Sequence, residues 1–319
     1  MKRVFITNRP NYCHKRFAEV VGCKFYHVKH FLPENIPGLS LIINGKLNSF
    51  LLEDADLFFA ESIMDYYPVY YRNPKSKKVI LLAEDTLWKI DDMSKLKRNY
   101  ILKLFRSCDG FVAISESMKN IVLKYVRKPV IVAYPFPHKE FFHVKSQTDS
   151  KNVLFIGRND TGKGFPELVD AIKILREKDS EWNLYLIGGC SEAVEREDGI
   201  HPLGYVKNME PYIKMCTYFV HPALKDATTP ATIFETMSAG MIPIISNQVG
   251  QAEIFHENNL SNLILENNKP KTIAEKLLKL SLQNKKKLSS EVRSISKDFT
   301  EAKMLKEFEK KFESLVSKL

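Results

Sequence analysis

One loop in the second half of the chain gathers the residue types that hold a phosphate: Gly157-Arg158-Asn159-Asp160-Thr161-Gly162-Lys163-Gly164. An apolar run ends at its glycine, and a helical pattern over 166–177 follows it. Glycines let the backbone come close to an anion, and Arg158 and Lys163 would neutralise it. As a string, Gly157 through Lys163 nearly spells a P-loop. That motif needs Ser or Thr next, to hold magnesium, and Gly164 stands there instead. The following strand pattern ends in Gly188-Gly189 rather than a metal-binding Asp, so an ATPase reading is set aside.

A second segment adds to the same chemistry. Tyr218-Phe219-Val220-His221-Pro222-Ala223 reads as a strand and its exit, and a helical pattern covers 230–239. Thr229 is expected as the helix N-cap, with Pro230 in the first turn. The helix start, including Ala231, would offer partial positive charge to the anion. Glu235 follows about a turn and a half later, at a spacing that suits a sugar hydroxyl. Its neighbours Ile233, Phe234 and Met237 are apolar, which argues against a merely solvated carboxylate.

These loops need a scaffold, and the apolar pattern supplies one. Short apolar runs at 4–7, 24–28, 57–61, 79–83, 111–115 and 130–134 alternate with helical stretches, notably 94–107 and 117–126. The rhythm restarts at 153–157, 184–188, 218–221, 242–246 and 262–266, with helical patterns at 166–177, 208–216 and 230–239 between. Such alternation predicts an α/β chain of two doubly wound, Rossmann-like domains, with ligands at the carboxyl ends of the strands across a cleft. The expected layout is residues 1–140 as the first domain, 141–150 as a linker and 151–298 as the second. An amphipathic helix is expected in 299–319.

Composition narrows the partners. The 319 residues are 44% hydrophobic with a formal net charge of +10, which suits a globular chain with anionic partners. Five dispersed cysteines suggest free thiols in a reducing compartment rather than disulfides or zinc. No apolar run is long enough to span a bilayer, and the short run at the N-terminus reads as a strand rather than a signal peptide. The basic and aromatic runs over 66–78 and 95–106 could rest on an anionic bilayer, stack nucleic-acid bases or simply be a solvated helix–strand junction. No nucleic-acid-binding motif is present.

Taken in order, the second-half motifs resemble the retaining glycosyltransferases of the GT-B fold, group four (glycosyl transferases group 1). The matching elements are Gly157-Arg158 with Lys163-Gly164, then Gly188-Gly189, Gly204-Tyr205-Val206 and His221-Pro222. Glu235-Thr236-Met237-Ser238-Ala239-Gly240-Met241-Ile242-Pro243 and Gly250-Gln251-Ala252-Glu253 complete them. The first half matches more loosely, through Cys108-Asp109-Gly110-Phe111-Val112-Ala113-Ile114-Ser115.

The resemblance implies a GT-B enzyme that moves a sugar from a UDP- or GDP-sugar to a glycan or lipid-linked acceptor. It implies that Gly157, Arg158 and Lys163 hold the donor diphosphate, with Thr228, Thr229 and Ala231 assisting. Tyr205 and Val206 would lie against the base, and Glu235 on the ribose. No cofactor and no metal are implied beyond the donor itself, and the implied location is the cytoplasm, with peripheral membrane contact as an option. Three positions depart from the pattern. Ala227 stands where the first acid of the pair belongs, with Asp226 one residue earlier. Glu84-Asp85 replace a histidine common in the family, which makes Asp226, Glu84 and Asp85 the candidate catalytic acids. Asn8-Arg9-Pro10-Asn11 replace a glycine-rich loop. The alternative is a non-catalytic GT-B homologue that binds nucleotide or glycan as a partner subunit.

Overall fold

Runs of Val, Ile, Leu and Phe four to six residues long are buried on both faces, the pattern of parallel strands covered by helices. The computed structural model describes residues 1–32, 39–83, 90–224 and 229–319. It divides into two units, Met1–Tyr134 with Ala302–Leu319, and Pro135–Glu301.

The first unit holds β1 (Arg3–Thr7), β2 (Lys24–His27), β3 (Leu57–Ala60), β4 (Lys77–Leu82), β5 (Gly110–Ala113) and β6 (Val130–Val132), all parallel, in the order β2-β1-β3-β4-β5-β6. Its helices are α1 (Tyr12–Val20), α2 (Leu39–Leu51), α3 (Ile63–Arg72), α4 (Lys95–Ser107) and α5 (Glu116–Tyr125). In the second unit, β7 (Asn152–Ile156), β8 (Asn183–Ile187), β9 (Ile200–Gly204), β10 (Tyr218–His221), β11 (Ile242–Ser246) and β12 (Ile264–Leu265) form a parallel sheet ordered β12-β11-β10-β7-β8-β9. Around it run α6 (Phe165–Arg176), α7 (Glu210–Met215), α8 (Ala231–Ser238), α9 (Ala252–Glu257), α10 (Pro270–Ser281) and α11 (Lys285–Ser296), and the chain ends in α12 (Glu301–Lys318).

Both sheets are doubly wound, as the alternation implied. Each reverses strand direction of travel once, between β1 and β3 in the first unit and between β7 and β10 in the second. Ligand crevices form outside the carboxyl ends of strands at such points, because the loops there leave the sheet in opposite directions. From Ala302 onward α12 belongs to the first unit, where Phe308 packs on Phe17 at 4.4 Å and Phe312 on Phe59 at 5.1 Å between ring centroids. Arg3 pairs with Glu313 on the same helix.

Three local readings change. The stretch 141–150, expected as a linker, is held within the second unit: the Ser146 amide donates to Ala239 O (2.9 Å) and the Gln147 amide to Lys214 O (3.1 Å). The run 66–78 is not a basic-aromatic surface throughout, because α3 buries Tyr66, Tyr67, Pro68 and Val69. Its N-terminal cap, Ser62, accepts from the Asp65 amide, so Pro68 falls in the helix interior with its side chain in the core. The third is β9, which carries no alternating signal because Pro202 interrupts it at the sheet edge, where proline is tolerated. All five cysteines are free thiols, and burial pushes those of Cys108, Cys190 and Cys216 up. Among the described residues no helix is long and apolar enough to cross a membrane.

Candidate functional site

In the second unit the crevice opens because β7 and β10 part. Their ladder pairs Tyr218 with Val153 and Phe219 with Leu154 and goes no further, although both strands continue. The His221 ring fills the gap by stacking on Phe155, with centroids 5.8 Å apart and planes 9° from parallel.

The loop after β7 is shaped by its own polar side chains. Asp160 caps the 3-10 turn Thr161–Lys163, its Oδ1 accepting from the Gly162 amide at 2.9 Å. Gly162 O then accepts from the Leu224 amide at 2.8 Å, which ties this loop to the exit of β10. Gly164 opens α6 with φ +77°, and a Cβ there would lie 1.9 Å from Pro222 O. Lys163 is buried, only 7% exposed, while Arg158 is exposed on the same loop. The two cations thus stand on one strand-to-helix turn beside the gap, one inside and one at the surface.

Gly157 and the two glycines after β8 form the neighbouring wall. The Gly157 amide donates to Ile187 O (3.0 Å), and Gly157 O accepts from the Cys190 amide (3.2 Å). Gly188, at φ +99°, has room only because it lacks a Cβ, which would meet Gly157 O at 2.5 Å. A Cβ on Gly189 would lie 3.1 Å from both the Asn159 amide nitrogen and the Tyr205 hydroxyl. Tyr205 therefore arches over this turn, yet 79% of it is exposed. Val206, beside it, is half-buried. Gly157, Arg158, Lys163, Tyr205 and Val206 all gather at the carboxyl ends of β7, β8 and β9.

The helix start is one residue later than expected. Pro230, with ψ 126°, is still extended and occupies the cap position, so α8 begins at Ala231 and Thr229 is buried ahead of it. The Gln251 side-chain amide donates to Pro230 O at 2.7 Å and fixes that entry. Glu235 is only 6% exposed. Burial, with the Glu140 carboxylate nearby, raises its pKa to about 7, against a hydrogen bond from the His138 backbone N–H that lowers it. Glu235 therefore faces the 3-10 turn Lys139–His143, a neighbour that nothing in the local sequence pattern indicated. Glu84, Asp85, Asp226 and Thr228 lie outside the described residues.

The first unit holds a polar cluster that the sequence reading missed, at its own reversal point. Glu61 leaves β3 with its amide bonded to Ile6 O. Its carboxylate accepts from Thr7 Oγ1 and from the Asn11 amide (2.9 Å), and meets His14 Nδ1 at 2.8 Å. Ser62 Oγ donates to Asp65 Oδ2 at 2.7 Å, and Asn8 Oδ1 meets His30 Nε2 at 2.8 Å. Two cavities of about 390 and 430 Å³ share Asn8, Ser62 and Asp65 as lining; the first extends to Asn44 and the second to His14 and Glu61. The available signal was Glu61 itself, a carboxylate directly after an apolar strand and next to the exit of β1. Among the described residues no cluster of His, Cys, Asp and Glu is arranged to hold a metal ion.

Comparison with known proteins gives this geometry a context. Residues 150–283 match the family profile described as Glycosyl transferases group 1. An uncharacterized glycosyltransferase of Methanocaldococcus jannaschii is 24% identical over 235 residues, covering 70% of this chain and 64% of that protein. One from Haemophilus influenzae is 21% identical over 215 residues, covering 63% and 60%. The match thus spans less than two thirds of either relative. Among solved structures, Anabaena HepE in complex with UDP and glucose has a TM-score of 0.76 at 13% identity, with all of both chains covered. An E. coli trehalose-6-phosphate structure bound with UDP-2-fluoro glucose has a TM-score of 0.72 at 11% identity, covering 100% and 99%. A glycosyltransferase from Rickettsia africae has 0.70 at 14%, covering 99% and 98%. Two doubly wound parallel sheets and these likenesses agree: the chain has the GT-B fold, and residues 150–283 of its second unit match the glycosyl transferases group 1 family.

Proposed function

We propose that the chain is a glycosyltransferase that moves a sugar from a UDP- or GDP-sugar to an acceptor hydroxyl, with retention, in glycan or glycolipid synthesis. The observation that carries this reading is the loop with Arg158 and Lys163, pinned beside the gap between β7 and β10. A diphosphate in that crevice gains charge as the sugar–phosphate bond breaks. Cations already held in place stabilise that charge without having to reorganise, which is where most of the rate acceleration arises. Tyr205 and Val206 take the base, Glu235 the ribose hydroxyls, and Thr228, Thr229 and Ala231 the phosphate from the helix side. Asp226, Glu84 and Asp85 are the acids proposed to act at the sugar and acceptor.

UDP with glucose in the HepE complex and UDP-2-fluoro glucose in the E. coli structure favour UDP over GDP. The groove bearing Asn8, Glu61, Ser62 and Asp65 supports a hydroxyl-rich acceptor, since an amide both donates to and accepts from hydroxyls and carboxylates accept from them. No cofactor beyond the donor is proposed, and transfer is expected to persist in EDTA.

Thermal unfolding with UDP and GDP, followed by assay of the matching sugar donors for hydrolysis and transfer, tests the reading. A ligand at 100 times its Kd adds about 2.7 kcal/mol of stability. A chain that binds neither nucleotide overturns the proposal, and one that binds but never turns over a donor favours the partner-subunit alternative.

A further inference from the structure

Two side-chain amides hold the two ends of the stretch between β10 and α8. Asn268 Nδ2 donates to Ala223 O at 2.9 Å, just after β10. Gln251 Nε2 donates to Pro230 O at 2.7 Å, just before α8. Both side chains come from segments that follow the outer strands, Gln251 after β11 and Asn268 after β12. Asn267 Oδ1 accepts from the Lys269 amide (3.0 Å) and the Thr272 hydroxyl (2.8 Å) at the start of α10, while Asn268 turns the other way, to the exit of β10.

A carbonyl oxygen takes only a donor, so the nitrogen of each side-chain amide faces the backbone and the oxygen is left over. Gln251 Oε1 and Asn268 Oδ1 are both buried with no hydrogen-bond partner among the described residues. Gln251 as a whole is 0% exposed. A buried acceptor without a donor lowers stability, because it has given up its water for nothing. Nor does Pro230 O need Gln251, since it already accepts from the Ile233 amide at 3.2 Å. An apolar side chain of the same length would fill this place without an orphaned oxygen. Stability alone does not account for a glutamine here.

The two amides fix both walls of the crevice. Beyond Ala223, which Asn268 holds, the Leu224 amide donates to Gly162 O at 2.8 Å in the loop that carries Lys163. Pro230, which Gln251 holds, offers α8 no side-chain cap, and the first turn of that helix has no carboxylate, which suits an anion at its leading amides. We propose that Gln251 and Asn268 are positioning residues for the donor diphosphate: they set the loop of Lys163 and the start of α8 at the separation that the phosphates need. The proposal rests on the donor-site reading. Such settings matter, because a misplacement of about 1 Å can slow an enzyme by about 100-fold.

Gln251→Met and Asn268→Leu replace each amide by an apolar side chain of like size. In calorimetry UDP affinity should fall by about tenfold in each variant, while binding of uridine, which carries no phosphate, stays at the parent's value by ligand-observed NMR. Without ligand, the Tm should be unchanged or higher, whereas a merely structural role would lower it. UDP affinity equal to the parent's, an equal loss for UDP and uridine, or a lower Tm in either variant would overturn the proposal and leave the donor-site reading in place. A parent chain that binds no UDP would overturn both.

Discussion

The backbone of Gly164 lies so close to Pro222 that a Cβ on it would reach within 1.9 Å of the Pro222 carbonyl oxygen. This contact joins the loop after β7 to the exit of β10, and the positive φ of 77° at Gly164 makes it possible. Gly164→Ala adds both backbone strain and a clash with main chain that cannot rotate away. Urea unfolding should show a loss of about 2–4 kcal/mol. Nucleotide affinity should fall as well, because the displaced residue adjoins Lys163.

Removing the cations tests the proposed donor site without disturbing the backbone. Arg158→Ala and Lys163→Ala should each weaken UDP binding by about 1.5–3 kcal/mol in calorimetry, the usual worth of a hydrogen bond to a charged group. The two should differ in salt dependence. Arg158 is exposed and screened by ions, so its contribution shrinks at high salt, while that of buried Lys163 persists. Unchanged affinity in both variants would remove the diphosphate assignment.

Glu235 makes stability depend on pH. Its folded pKa of about 7 lies above the ordinary 4.5. Between those values the folded chain holds a proton that the unfolded chain has released, so stability falls as pH rises through this window. Glu235→Gln stays neutral throughout and can still accept from the His138 amide. It should therefore be more stable than the parent at pH 8, by about 1–3 kcal/mol, and nearly equal to it below pH 4.5. A difference that does not change with pH would mean that burial of charge is not its cause.

The first-unit groove predicts a separation of activities. Glu61→Gln keeps the shape of the cluster around Thr7, Asn11 and His14 but removes its charge. UDP affinity and donor hydrolysis should stay near the parent's values, while transfer to acceptor falls by about tenfold or more. Equal loss of both activities would mean that Glu61 does not serve the acceptor.

Much of the second unit could be read directly. Tyr218–His221 and Ile242–Ser246 have the bounds that their apolar runs predicted, because a strand buried on both faces writes a continuous run into the sequence. The loop after β7 was equally legible, since its glycines and cations are neighbours in the chain. What could not be read was whatever depends on distant segments meeting. Glu61 lies about fifty positions from Asn11 and His14 and joins them in one cluster only because β3 pairs beside β1. Helix α2 hides its amides and shows Leu39, Leu47 and Leu51 because the chain after β2 needs hydrogen-bond partners, a demand that local periodicity does not record. Composition and spacing determined the kinds of element and the run of glycines and cations after β7. Strand order, and with it the place of each crevice and the outward face of α2, was decided by tertiary packing, where satisfying buried backbone groups outweighs the local preference to bury an apolar side chain.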